Sequence, residues 1–139
     1  YLPAKHFSGR GVRDRNAALW GSLSVVTPHG HVFFAGDTGY APHFQEINQR
    51  LGAPRVALLP IGAYEPRPLM KQVHMNPLDA VKAHQDLAAH KSISMHFNTF
   101  QLTDESIDAP AQALTEALRQ QGVPSEEFVV MREGEGRVC

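Results

Sequence analysis

At 139 residues, with 42% apolar and 19% charged side chains, the chain has the size and balance of one globular domain, which excludes disorder. A formal net charge of −1 gives no basic footprint for nucleic acid and no polybasic segment for an anionic membrane; no apolar run nears the length of a transmembrane helix. One cysteine, Cys139, rules out an internal disulfide framework and fits a reducing, cytoplasmic compartment.

The first residues, from Tyr1 to His6, have neither the basic start nor the apolar stretch of a signal peptide, and no methionine opens them. A trimmed or truncated product is the simplest expectation. From Leu19 to Thr27 the chain alternates as a strand and stops at Thr27-Pro28-His29-Gly30, a turn signal; His31 to Ala35 returns. Phe44, Ile47 and Leu51 fall at helical spacing between Pro42 and Gly52. Arg55 to Pro60 is a continuous apolar run, the pattern of a strand covered on both faces.

Asn76-Pro77 places an N-cap before a first-turn proline, and Leu78, Val81 and Leu87 mark the buried stripe of the helix that follows. Ser92 to Phe97 alternates, with Ile93, Met95 and Phe97 on one face and Ser94 and His96 on the other. Pro110 opens a last helix that closes at Gly122, and Phe128 to Met131 is a final strand. The expected order is β-β-β-α-β-α-β-α-β, an α/β layering in a single domain over residues 1–139.

Three separated residues at strand ends carry the chemistry. His6 lies in Pro3-Ala4-Lys5-His6, Asp37 in Phe34-Ala35-Gly36-Asp37-Thr38-Gly39, and His96 in Met95-His96-Phe97. Two imidazoles and a carboxylate are ligand types suited to zinc, and a carboxylate can bridge two cations. Asp37 flanked by glycines is equally ordinary turn chemistry, and a strand histidine is more often hydrogen-bonded than metal-bound. Asp-Thr-Gly after an apolar strand also marks aspartic proteases, with Leu58-Leu59-Pro60-Ile61-Gly62-Ala63 as a mimic of their second apolar element. Those proteins are almost all β, and the histidines would have no role in them.

His74 precedes a helix N-terminus, where the dipole disfavours its protonation and favours an anion beside it. His29 and His31 are expected at a solvated hairpin tip; His43, His84 and His90 are expected to pack or hydrogen-bond near helices.

Taken together, these loops resemble the metallo-β-lactamase superfamily, and within it the hydrolases related to N-acylphosphatidylethanolamine-hydrolysing phospholipase D. Leu19-Trp20-Gly21-Ser22, Leu59-Pro60-Ile61-Gly62-Ala63-Tyr64, His74-Met75-Asn76-Pro77 and Thr99-Phe100 join the three ligand loops in family order over nearly the whole chain. The resemblance implies the C-terminal half of an αββα sandwich, a mixed sheet with helices on one face. It implies His6 as a ligand of a first zinc, Asp37 as a bridge between two zincs, His96 as a ligand of the second, and His74 as a non-ligand steadying a phosphoryl oxygen or leaving group.

The family string His-x-His-x-Asp-His, which supplies four further ligands, does not occur here. The resemblance therefore implies part of a binuclear zinc phosphodiesterase that uses a metal-bridging hydroxide on a small-molecule or lipid phosphodiester. Zinc in the chain alone is expected to be weak or absent, and the chain alone inactive. The alternative is a non-catalytic half-domain with relic ligands. In either case helices can cover only one sheet face, so a homo-oligomer through the other is expected.

Overall fold

The computed structural model describes residues 1–132 and 134–136, so Cys139 lies outside the described residues. Strands β1 (Leu23–Thr27) and β2 (Gly30–Phe34) pair as an antiparallel hairpin, with Leu23 opposite Phe34 and Val25 opposite Val32. Helix α1 (His43–Leu51) ends where Gly52, at φ +76°, turns its N–H back to Asn48 O. Strand β3 (Val56–Pro60) leads to the one-turn helix α2 (Arg67–Met70) and then to α3 (Pro77–Leu87). The α3 start is capped as the sequence requires: Asn76 Oδ1 accepts from Asp79 N at 2.8 Å. Strand β4 (Ser92–Met95), helix α4 (Ala109–Gln121) and strand β5 (Phe128–Val129) complete the fold.

The sheet runs β1-β2-β3-β4-β5, antiparallel only at its first pair. The observed order is thus β-β-α-β-α-α-β-α-β. Two strands, not three, precede the first helix; what remains of a third is one bridge, Leu2 to Ser22. The first strand starts at Leu23 rather than Leu19, whose side chain stands in solvent. Helix α2 has no counterpart in the expected order, because four residues are too few to show a period.

Register places Phe33, Ala57, Ser92 and Phe128 side by side on one face, and all four are buried under helices. Phe33 meets Phe44 of α1 edge to face, and Leu59, Ile47, Val81, Leu87 and Leu114 fill the same core. The other face carries Leu23, Val25, Val32 and Phe34, which are 40–64% exposed, with Leu58 and Ile93 half-buried beside them. Helices therefore cover one face only. An α/β chain of this kind is not the almost all-β body of an aspartic protease, and that reading of Asp37-Thr38-Gly39 is set aside.

Strand β4 turns inside out relative to its hydropathy. Ser92 and Ser94 point to the helices and are buried, while Ile93 and Met95 are half-buried on the open side. Both serines are satisfied: Ser92 Oγ lies 2.8 Å from His84 Nδ1, and Ser94 Oγ donates to Val129 O.

Candidate metal centre

The four residues singled out from the sequence converge beyond the C-terminal ends of the parallel strands. His96 Nε2 lies 3.4 Å from Asp37 Oδ1. The His74 ring centroid is 5.3 Å from that of His96 and 5.3 Å from that of His6. Residues ninety positions apart in the chain thus share one patch, at the sheet end where α/β folds place ligands.

Each arrives by a separate device. The segment bearing His6 is stitched to the loop bearing Asp37: Lys5 N donates to Thr38 Oγ1 at 2.9 Å, and Gly39 N donates to Lys5 O at 2.8 Å. Behind it, the Leu2–Ser22 bridge and a bond from Ser22 Oγ to Ala35 O fix the segment to the sheet. Asp37 leaves β2 through Gly36, whose φ of +65° favours glycine.

His96 is not a strand residue on a polar face, as alternation implied. It is the first residue beyond β4, bent out of the sheet at φ +59°. The loop after β3 crosses close by: a Cβ on Gly62 would overlap the His96 carbonyl oxygen, so only glycine lets that loop pass. His74 is delivered by α2. Arg67 Nη1 donates to His74 O at 3.0 Å while Nη2 donates to Asp79 Oδ2 at 2.6 Å, tying the loop to the first turn of α3.

Burial holds His74 below its ordinary pKa, with the neighbouring His96 and His6 adding to the effect against the opposing Asp37 and Glu105. Its Nδ1 is buried with no hydrogen-bond partner among the described residues. His6 Nδ1 lies 2.8 Å from Phe7 O and its ring stacks on Phe7, so that nitrogen faces its own backbone.

In kind, these donors fit a metal: imidazole and carboxylate in contact beside an orphaned imidazole nitrogen. In number they fall short. Among the described residues no three His, Cys, Asp or Glu side chains stand close enough to hold an ion.

Three contributors escaped the sequence reading. Glu105 accepts from the backbone N–H groups of Tyr64 and Glu65 and from Thr103 Oγ1, locking the loop after β3 to the loop after β4. Burial raises its pKa, but those bonds outweigh it and the net shift is downward. Beside it opens a cavity of about 320 Å³, lined by His96, Phe97, Phe100, Leu102, Ile107 and Pro110 among others. Neither a lone Glu nor scattered loop apolars leaves a periodic trace. Arg67 is equally silent in the sequence.

The remaining histidines lie elsewhere. His31 departs from expectation: it is buried, with Nδ1 2.7 Å from Ser24 Oγ and Nε2 3.1 Å from Gly52 O. His43 and His84 are buried and His29 and His90 exposed.

A five-stranded mixed sheet, helix-covered on one side, with imidazoles and a carboxylate gathered at its strand ends, places the chain among the α/β folds that set a ligand site at the C-terminal ends of parallel strands. Residues 1–97 match the beta-lactamase superfamily domain, and the chain belongs to the metallo-β-lactamase superfamily. It is 37% identical over 137 residues to N-acyl-phosphatidylethanolamine-hydrolyzing phospholipase D 1 of Caenorhabditis elegans, covering 96% of this chain and 38% of that protein. It is 32% identical over 100 residues to a metal-dependent hydrolase of Hyperthermus butylicus, covering 72% of this chain and 37% of that one. The solved structure of Igni18, a metallo hydrolase of Ignicoccus hospitalis, superposes with a TM-score of 0.52 at 32% identity over 75% of this chain and 38% of its own. The chain thus spans about two-fifths of the length of these relatives. No described helix is long and apolar enough to cross a membrane.

Proposed function

We propose that this chain is the C-terminal half of a binuclear zinc phosphodiesterase, with His6, Asp37 and His96 as its share of the metal ligands. The observation that carries the reading is the convergence of His96, Asp37, His74 and His6 at one sheet end in a chain of this superfamily. His6 would hold one metal once its ring leaves Phe7 O, His96 would hold the other, and Asp37 would serve both; the further ligands would come from outside this chain. A metal bound there would supply Lewis acidity to a phosphodiester. Asp37 is exposed, so its carboxylate is free to face a partner half. His74, kept neutral by burial, retains one N–H to donate to a phosphoryl or leaving-group oxygen.

The test is reconstitution. The chain alone is expected to take up zinc weakly in equilibrium dialysis at neutral pH. Mixed with a polypeptide bearing the His-x-His-x-Asp-His half, it should bind zinc stoichiometrically and cleave bis(p-nitrophenyl) phosphate. Asp37→Ala should abolish both. His74→Ala should keep the zinc and lower kcat by about 10²-fold. Full turnover after Asp37→Ala, or zinc lost from the His74 variant, would overturn these roles.

The second reading, a non-catalytic self-associating module, is favoured by one feature: the uncovered apolar sheet face. Oligomers are expected on both readings; what sets this one apart is no gain of zinc on adding the other half.

A further inference from the structure

The opposite end of the sheet carries a second concentration of titratable groups. A surface cavity of about 440 Å³ opens there, lined by His29, Gly30, Ala53, Arg55, His90 and Lys91. These residues come from three segments: the β1–β2 turn, the approach to β3 and the approach to β4. All therefore lie at the N-terminal ends of the parallel strands, while His6, Asp37, His74 and His96 gather at the other end. Four of the six are basic in type and none is acidic, in a chain whose net charge is −1.

Local bonds hold the three segments in place. Thr27 Oγ1 donates to Gly30 O at 2.7 Å and accepts from His29 N at 3.2 Å. Arg55 N donates to His31 O at 2.9 Å, and His90 N donates to Pro54 O at 3.0 Å. The basic side chains are not engaged in the same way. Among the described residues the side chains of His29, His90 and Lys91 make no hydrogen bond or ion pair. Glu127, at the same sheet end, is turned to His84 Nε2 at 3.7 Å instead. Basic residues near helix C-termini often serve the helix carbonyls. Here α1 and α3 end close by, but carbonyls of their last turns accept from backbone: Gly52 N donates to Asn48 O, and Ala89 N to His84 O.

We propose that this cavity binds a condensed phosphate, a di- or triphosphate chain, with Lys91 and Arg55 supplying permanent charge and His29 and His90 donating from their rings. A cleft lined by one sign of charge focuses its field on a counter-ion, and the cavity has small-molecule size. Basic groups on three segments suit an anion whose charge is spread over several groups rather than one. Phosphate oxygens match them, because ammonium, guanidinium and imidazole N–H groups all donate to such acceptors. Apart from the imidazoles no aromatic side chain lines the cavity to stack a base, so the phosphate chain is read and not a nucleoside. The site is remote from the candidate centre and stands apart from the hydrolytic reading, since binding there requires neither metal nor turnover.

Calorimetric titration of the metal-free chain with sodium tripolyphosphate, alongside inorganic phosphate and ATP, tests it. Tripolyphosphate is expected to bind at one site, more tightly than phosphate and at least as tightly as ATP. Its binding should weaken as salt rises from about 0.1 M to about 1 M and screening shortens. Lys91→Ala and His90→Ala should each weaken it about tenfold, the scale of a charge-assisted hydrogen bond, and Lys91→Arg should keep most of the affinity. Arg13→Ala, on the exposed loop before β1, serves as the control for unspecific attraction and should change nothing. Amide NMR shifts on adding tripolyphosphate should centre on Gly30, Arg55 and Lys91. Four results would overturn the proposal: affinity untouched by Lys91→Ala, shifts centred on the candidate centre or the loop before β1, tighter binding of ATP than of tripolyphosphate, or no saturable binding up to about 10 mM.

Discussion

Single side chains in this fold answer to where burial and backbone leave them. His43 is buried against Phe44, and desolvation, reinforced by Lys5, lowers its pKa from 6.5 to about 4. A base depressed on folding binds fewer protons folded than unfolded between those two values. Its neutral burial therefore costs nothing above about pH 6.5, destabilises progressively as pH falls toward 4, and levels off below. The loss across that window is on the order of 3 kcal/mol. Urea unfolding followed from neutral pH to about pH 4 should show it, and His43→Gln should flatten the slope. An unchanged slope would assign the acid sensitivity elsewhere. Gly62 carries a sharper constraint, because its neighbour is backbone rather than a flexible side chain. Gly62→Ala should cost roughly 1–3 kcal/mol in denaturation, the scale of overpacking. A variant as stable as the parent would mean that the loop does not pass under His96 in solution.

At the level of elements, the sequence told most where a rule is local. The Asn76-Pro77 start, the Gly52 and Gly122 stops and the β1–β2 hairpin all appear within a few residues of expectation, because caps and turns are chosen by adjacent chemistry. What could not be read depends on distant partners. The inward serines of β4 are legible only once His84 and Val129 are in place, and His31 is buried only because Gly52 O waits beside it. The candidate centre was legible as a set of loops but not as a geometry. Nothing in the sequence says that Arg67 would hold the His74 segment, since a one-turn helix and a pair twelve residues apart leave no pattern. That tie is testable. Arg67→Met leaves His74 O and the Asp79 carboxylate without their partner and should cost roughly 1–3 kcal/mol. Arg67→Lys should recover only part, because an ammonium cannot span two acceptors as a guanidinium fork does. A double-mutant cycle with Asp79→Asn should give a clear coupling energy; additive losses would show that the two do not act together.

For the whole molecule, the two sheet faces are the dominant fact. One is sealed by helices, while the other shows Leu23, Val25, Val32 and Phe34 to solvent as one contiguous apolar row, the kind of surface that marks an interaction site. We expect the isolated chain to self-associate through that face, most simply as a two-fold dimer. Light scattering at low micromolar concentration should report more than one copy, and Val25→Asp with Val32→Asp, neighbours across the hairpin, should return it to one. A wild-type monomer would mean that the face is covered in another way.

The sheet's connectivity also bears on how quickly such a chain can find its shape. From β2 to β5 every pairing is parallel, so each strand must wait for a crossover of many residues before meeting its neighbour. Non-local closure of this sort slows the search, and during it the apolar strands stay open to wrong partners. His6, Asp37, His74 and His96 stand at four points along that route and meet only once β2, β3 and β4 are side by side. Anything that favours the gathered donors therefore also favours the paired strands that bring them together.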